Sequence, residues 1–132
     1  MSNREIKIEV NNLCKTLNDK KVLDNLDLKI FEGETFVLLG QSGSGKSVLL
    51  KHLIGLMIPD NGQIYIDGNK IDYNDFKQAD SIRRNFGMLF QGGALFDSLS
   101  VGENLLFALD HLRTDLSDSE KEKKVLHALE LV

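Results

Sequence analysis

Phe36-Val37-Leu38-Leu39-Gly40-Gln41-Ser42-Gly43-Ser44-Gly45-Lys46-Ser47-Val48-Leu49-Leu50 is the stretch that decides the fold. The apolar run Phe36 to Leu39 predicts a short strand buried on both faces, as in a parallel sheet. From Lys46 onward, Leu49, Leu50, Leu53, Ile54 and Met57 form one apolar stripe. That stripe predicts an amphipathic helix ending near Gly55 and Pro59. Between the two lies G-x-x-x-x-G-K-S, a loop with a physical purpose. Its glycines let successive backbone N–H groups turn toward one anion, and the helix that follows adds its positive end. Gly40, Gln41, Ser42, Gly43, Ser44, Gly45, Lys46 and Ser47 are therefore the candidate triphosphate site. Lys46 is expected to reach the β- and γ-phosphates, and the Ser47 hydroxyl to bind Mg²⁺.

On the N-terminal side, Ile6 to Leu13 reads as a strand, with Ile6, Ile8 and Val10 alternating. Asn18-Asp19-Lys20 is turn-like, and Val22 to Ile30 is a second strand with Leu26, Leu28 and Ile30 on one face. Glu32-Gly33 turns the chain into the apolar run. On the C-terminal side, Pro59 to Gly62 predicts a turn, Ile64 to Ile66 a strand, and Asp67-Gly68 a hairpin turn. A helix is expected over Asp72 to Arg84 and an apolar strand over Phe86 to Phe90. Ser100 with Glu103, and Ser117 with Glu120, are capping-box pairs that open two further helices. His52, His111 and His127 all fall on helical stretches and are expected at the surface. Cys14 is expected to be a small packing residue. The Lys/Glu run from Glu120 to Lys124 reads as a solvated helix face.

The chain has 132 residues, room for one modest domain, and 42% of them are hydrophobic, enough for a core. A net charge of −4 argues against nucleic acid as a partner. The single cysteine excludes an internal disulfide. The polar start from Met1 to Glu9 shows no signal peptide, and no apolar run approaches the roughly 18 residues that a membrane span needs.

A loop of this kind serves GTPases, kinases and many ATPases. Asn69-Lys70-Ile71-Asp72 matches the pattern by which GTPases read guanine, but it follows a hairpin turn and no D-x-x-G pattern accompanies it. It reads as a surface turn and helix start. The order of two N-terminal strands, phosphate loop, hairpin Gly62 to Gly68 and then Met88-Leu89-Phe90-Gln91 resembles the ATP-binding subunit of ABC transporters, over the whole chain. The segment from Phe90 through Gly92-Gly93-Ala94-Leu95-Phe96-Asp97 to Asn104 is similar to the subgroup that drives lipid transport, including the maintenance-of-lipid-asymmetry phospholipid systems.

The resemblance implies an α/β fold of the phosphate-loop ABC type. A core with an antiparallel β portion would occupy about residues 1–92, and the start of a helical subdomain about 93–132. It places Gln91 at the family's Q-loop glutamine, contacting Mg²⁺ and the attacking water, and makes Lys46 and Gln91 the catalytic candidates here. It implies ATP and Mg²⁺ as ligands, and a membrane permease and a second copy of the subunit as partners. The location implied is the cytoplasm, on the inner face of the cell membrane. Importers of other solutes share much of the pattern, and a non-hydrolytic nucleotide-binding fragment is the reading from another class. The family's signature sequence, acidic strand, glutamate base and switch histidine belong downstream of Val132, so this chain alone is expected to be inactive.

Many ABC ATPases stack adenine on an aromatic residue at a position near Leu17, and Lys15 to Lys21 contains none. Base stacking is worth roughly 1–3 kcal/mol. Competition binding in the full-length protein should therefore show ATP and GTP within about a hundredfold of each other, and a larger preference for ATP would mean that another residue reads the base.

Overall fold

A computed structural model describes residues 4–132, without the side chain of Phe76. The opening residues Met1 to Asn3, part of the polar start noted above, lie outside it. Two compact units divide the chain, one through Phe86 and one from Gly87.

The first unit is built on a long antiparallel hairpin, β1 (Ile6–Leu17) and β2 (Lys20–Phe31). Asn18 and Asp19 join them with φ of 48° and 60°. That is the two-residue turn whose twist matches the strands, and Asn and Asp tolerate positive φ better than most residues. Strand β3 (Asn61–Ile66) pairs with the other edge of β1, and β4 (Asn69–Lys70) folds back on β3 through Asp67-Gly68. The sheet order is β2-β1-β3-β4.

Both long strands contain a residue in the left-handed region, Asn12 at φ 50° and Asn25 at φ 47°. The pairing register shifts near each of them. The bulge changes which side chains face inward. In β1, Ile8 and Val10 are buried at even positions and Leu13 at an odd one. In β2, Leu23 is buried, whereas Leu26, Leu28 and Ile30 pack partly against the core. Strict alternation would have turned either half of each strand to solvent. The bulge in β1 is tied across the hairpin, since the Asn12 N–H donates to the Asp27 carboxylate at 2.7 Å.

One helix, α1 (Lys46–Leu53), covers this sheet through Leu49, His52 and Leu53. Ile8, Val10, Leu13, Leu23, Ile64, Ile66 and Ile71 complete the core. A second helix, α2 (Phe76–Arg84), starts four residues later than the sequence implied. Asp72 accepts the Asn74 N–H in a local turn, a bond that competes with helix, and Asp75 then caps the helix by accepting from Lys77 and Gln78. Thus Asn69-Lys70-Ile71-Asp72 is a short strand, a core residue 2% exposed, and a turn.

Two expected strands do not form. Residues 36–39 join no ladder, and Val37 and Leu39 are 65% and 90% exposed, although Leu38 packs partly on the core. Residues 86–90 are likewise outside any strand, with Leu89 90% exposed and only Phe86 packed on the core. A strand of a parallel sheet exists only by pairing with a neighbouring strand. None of the four strands among the described residues pairs with either run.

The second unit contains α3 (Val101–Leu112) and α4 (Asp118–Glu130). At α3 the capping box is complete: Glu103 N donates to Ser100 Oγ, and Ser100 N donates to the Glu103 carboxylate. At α4 the Glu120 carboxylate accepts from both the backbone N and the hydroxyl of Ser117. Lys121 does not belong to a solvated face. Its ammonium lies 2.7 Å from Asp110 of α3 and its side chain is only 11% exposed. The stem lies along the helix pair while the charge finds a partner.

Gly62 has φ 96°, and a Cβ there would lie 2.4 Å from Asn12 O and 2.6 Å from Leu13 Cα. Gly33 also has positive φ but meets nothing within 4 Å. Both alanine substitutions incur backbone strain of roughly 1–3 kcal/mol, and only Gly62→Ala must also push β3 away from β1. In urea unfolding, the midpoint should therefore fall further for Gly62→Ala than for Gly33→Ala. Equal midpoints would show that the β1–β3 approach is not close.

Candidate phosphate-binding site

The loop Gly40 to Ser47 leads directly into α1, and Gly45 is its hinge. Gly45 is the N-cap residue of the helix, at φ 97°. It is buried against β2: a Cβ there would lie 3.1 Å from Val22 Cγ1, 3.1 Å from Val22 O and 3.2 Å from Leu23 Cδ2. Glycine is required twice, by the left-handed backbone and by the approach of the helix to the strand. Gly43 is also left-handed, at φ 77°. Sequence reasoning singled out the glycines but not Val22 and Leu23. Nothing in a Val-Leu pair within a strand marks it as the wall behind a loop.

The first turn of α1 is left open. Gly45 has no side chain to cap it, and no acidic residue stands in that turn. The first N–H groups of a helix have no intrahelical acceptor, and the helix dipole makes this end positive. Lys46 brings its own charge back over the loop. Its ammonium donates to Gly40 O at 2.7 Å, Gln41 O at 2.8 Å and Ser44 Oγ at 3.3 Å. A Cβ on Gly40 would come within 2.7 Å of Ser44 Oγ and 3.9 Å of the Lys46 Nζ. The concavity is therefore one that a side chain at position 40 would fill. Open backbone donors, a fixed cation and no opposing carboxylate form a set that suits a polyphosphate.

Ser42, Ser44 and Ser47 are exposed, with Ser47 on the first turn of α1. No cluster of three or more His, Cys, Asp or Glu side chains that would hold a metal occurs among the described residues. A divalent cation here would depend on hydroxyl and phosphate oxygens, as Mg²⁺ commonly does.

Gln91 belongs to the second unit. It is exposed and lies in a turn, not at the end of a strand, because the strand expected before it is absent. The turn is closed by Gly93 N donating to Phe90 O at 3.0 Å. Gly92, Gly93 and Ala94 follow with φ of 99°, 81° and 53°. Further along, Asn104 holds the segment before α3. Its amide donates to Phe96 O, Leu99 O and Ser100 O and accepts from Phe96 N. Phe96 meets Phe107 edge-on at 4.8 Å, and Phe107 packs on His111 at 4.2 Å. The asparagine appeared in the sequence only as part of a family pattern; its four bonds give it a physical reason.

His52 overturns an expectation. It is not a surface residue but is fully buried. Leu17, near the expected base-stacking position, pairs with Lys20 at the hairpin end. Cys14 is half-buried, its sulfur bonded with the backbone and amide of Asn25 beside the β2 bulge.

A family model described as ABC transporter matches residues 23–132, from within β2 to α4. The chain belongs to the ABC transporter ATP-binding family. It is 44% identical over 127 residues to the probable ribonucleotide transport ATP-binding protein mkl of Mycobacterium bovis, covering 96% of this chain and 35% of that protein. It is 37% identical over 125 residues to the intermembrane phospholipid transport system ATP-binding protein MlaF of Haemophilus influenzae, covering 95% of this chain and 47% of that one. Among solved structures, the dimeric post-hydrolysis state of the ATP-binding cassette MJ0796, bound to ADP and Pi, superposes with a TM-score of 0.80 at 32% identity, over 93% of this chain and 56% of that one. The chain thus spans less than half the length of these two curated relatives. It has the ABC fold, as an antiparallel sheet with helices corresponding to the N-terminal part. No helix among its described residues is long and apolar enough to cross a membrane.

The seat of Gly45 on β2 can be tested by a double-mutant cycle. Gly45→Ala should destabilise the ABC domain by about 1–3 kcal/mol through backbone strain, with crowding in addition. Val22→Ala removes the Cγ1 contact but leaves the Val22 carbonyl, so the double mutant should recover only part of the loss. Strict additivity in urea unfolding would mean that the two residues do not touch.

Proposed function

We propose that the loop Gly40 to Ser47 binds the triphosphate of ATP with Mg²⁺, and that in the complete protein this ATP is hydrolysed to power an ABC transporter. The observation that carries this reading is the Lys46 ammonium over the loop, 2.7 Å from Gly40 O, at the head of a helix whose first turn is uncapped and free of acid. Backbone amides from Gly43 to Ser47 cradle the β-phosphate. Lys46 exchanges its carbonyl partners for β- and γ-phosphate oxygens and stabilises charge on the transferring phosphoryl group. Ser47 would hold Mg²⁺ through its hydroxyl, and the family resemblance assigns Gln91 the roles of Mg²⁺ ligand and water-orienting residue.

The rest of the reading rests on family membership. A second copy of the subunit and a membrane permease are the partners, and the site of action is the cytoplasmic face of the membrane. The cargo we propose is phospholipid or another lipid. Its support is the segment Phe90 to Asn104 and the likeness to a relative named for phospholipid transport. A second reading, transport of another solute, is favoured by the likeness to a relative named for ribonucleotide transport.

Lys46→Ala removes charge-assisted bonds worth roughly 1.5–3 kcal/mol each, so the Kd for Mg-ATP should rise about 10- to 150-fold or more. Gln91→Ala should leave that Kd nearly unchanged and lower phosphate release in the assembled transporter. Calorimetric titration and steady-state hydrolysis check both variants; an unaltered Kd in Lys46→Ala would remove the loop assignment.

A further inference from the structure

Helix α1 is eight residues long and is docked by three buried side chains, Leu49, His52 and Leu53. An isolated helix of that length is unstable in water, so the phosphate loop at its head depends on this docking. One of the three anchors is titratable. His52 Nδ1 lies 2.7 Å from Val48 O, so Nδ1 carries the hydrogen and donates it. Nε2 is then a bare lone pair, buried and without a partner.

The charged and titratable groups around the ring come from three other segments. Lys15 of β1 bridges to Ile58 O at 2.8 Å and Asp60 at 2.7 Å, with its side chain only 17% exposed. Asp60 also accepts the Thr16 N–H at 2.7 Å, which pins the loop after α1 to β1. Tyr73, after β4, donates its hydroxyl to His52 O at 3.2 Å. Burial pushes the His52 ring below its ordinary value of 6.5. The Val48 carbonyl opposes that shift, Lys15 adds to it, and the Ile58 carbonyl and Asp60 oppose it. Burial likewise pushes Tyr73 up to about 12, so its phenol stays neutral.

We propose that His52 is an acid-sensitive latch, whose protonation undocks α1 and so weakens anion binding at the phosphate loop that α1 carries. A proton on Nε2 would place a charge inside the core beside the Lys15 ammonium, a cost met by expelling the ring. The sign follows from linkage. The folded state binds its proton less readily than the unfolded one, so below pH 6.5 the unfolded state holds more protons. Stability is full above pH 6.5 and is lost as pH falls from there toward the lower folded value. The loop's role as a nucleotide site is the one assumption taken from the proposed function.

Three measurements on the chain test the latch. Carbon-detected NMR follows the three histidines from pH 8 to pH 5. Hydrogen exchange, corrected for intrinsic rate, follows residues 46–58. Mg-ATP binding is titrated at pH 7.5 and pH 5.5 in the parent and in His52→Leu. His52 should become protonated only together with loss of protection in α1. The ratio of Kd values between the two pH values should be at least fivefold larger in the parent than in His52→Leu, which cancels protonation of the nucleotide itself. If His52→Leu does not fold, the first two measurements on the parent decide. Smooth titration of His52 near 6.5 with α1 still protected, or equal Kd ratios, overturns the proposal. Absence of Mg-ATP binding at pH 7.5 would instead remove the nucleotide reading, and the NMR and exchange results would still decide the latch.

Discussion

The packing of α1 on the sheet is the constraint on which the first unit depends. The helix offers Leu49, His52 and Leu53 to a core made by β1, β2, β3 and Ile71. Its first residue is reached through Gly45, pressed against Val22 and Leu23. A phosphate loop has value only if its N–H groups are held in a fixed array before the anion arrives, because ordering them on binding would consume the affinity they provide. Here the array is fixed from behind, by contact of a glycine with a strand, and from beyond, by the buried face of the helix.

The sheet that receives α1 is kept in phase by two irregularities. Without the bulges at Asn12 and Asn25, the long strands could not keep one face apolar along their full length, since a single-residue shift exchanges the two faces. Asparagine suits both places because its backbone tolerates positive φ. The same β1 that carries one bulge also supplies Lys15, which fastens the loop after α1 through Ile58 and Asp60. Sheet irregularity, helix docking and loop position are therefore one connected arrangement.

In the second unit, order comes from caps and side-chain ties in place of a core. Neither α3 nor α4 has a fully buried residue. Hydrogen bonds from Ser100, Glu103 and Asn104, the Phe96–Phe107 contact and the Lys121–Asp110 ion pair define its shape. Surface ties of this kind are individually weak. Such a unit is expected to open more readily than one closed around Val10, Leu13 and Ile64.

Much of this was legible in the sequence because it is local. G-x-x-x-x-G-K-S fixed the loop and the start of α1, Asn18-Asp19 and Asp67-Gly68 fixed two hairpin turns, and Ser100 with Glu103 fixed the start of α3 to the residue. Each of those features is decided by a few neighbouring residues and their own φ angles. What the sequence could not determine is non-local. Phe36 to Leu39 and Phe86 to Phe90 have the composition of buried strands, but composition supplies no partner, and a strand exists only when another pairs with it. His52 carries the same helical periodicity as exposed histidines, and only the arrival of β1 and Tyr73 around it makes it a buried one. Val22 and Leu23 became the wall of the phosphate loop for the same reason. Burial depends on what other parts of the chain bring near, and that is settled by the tertiary fold.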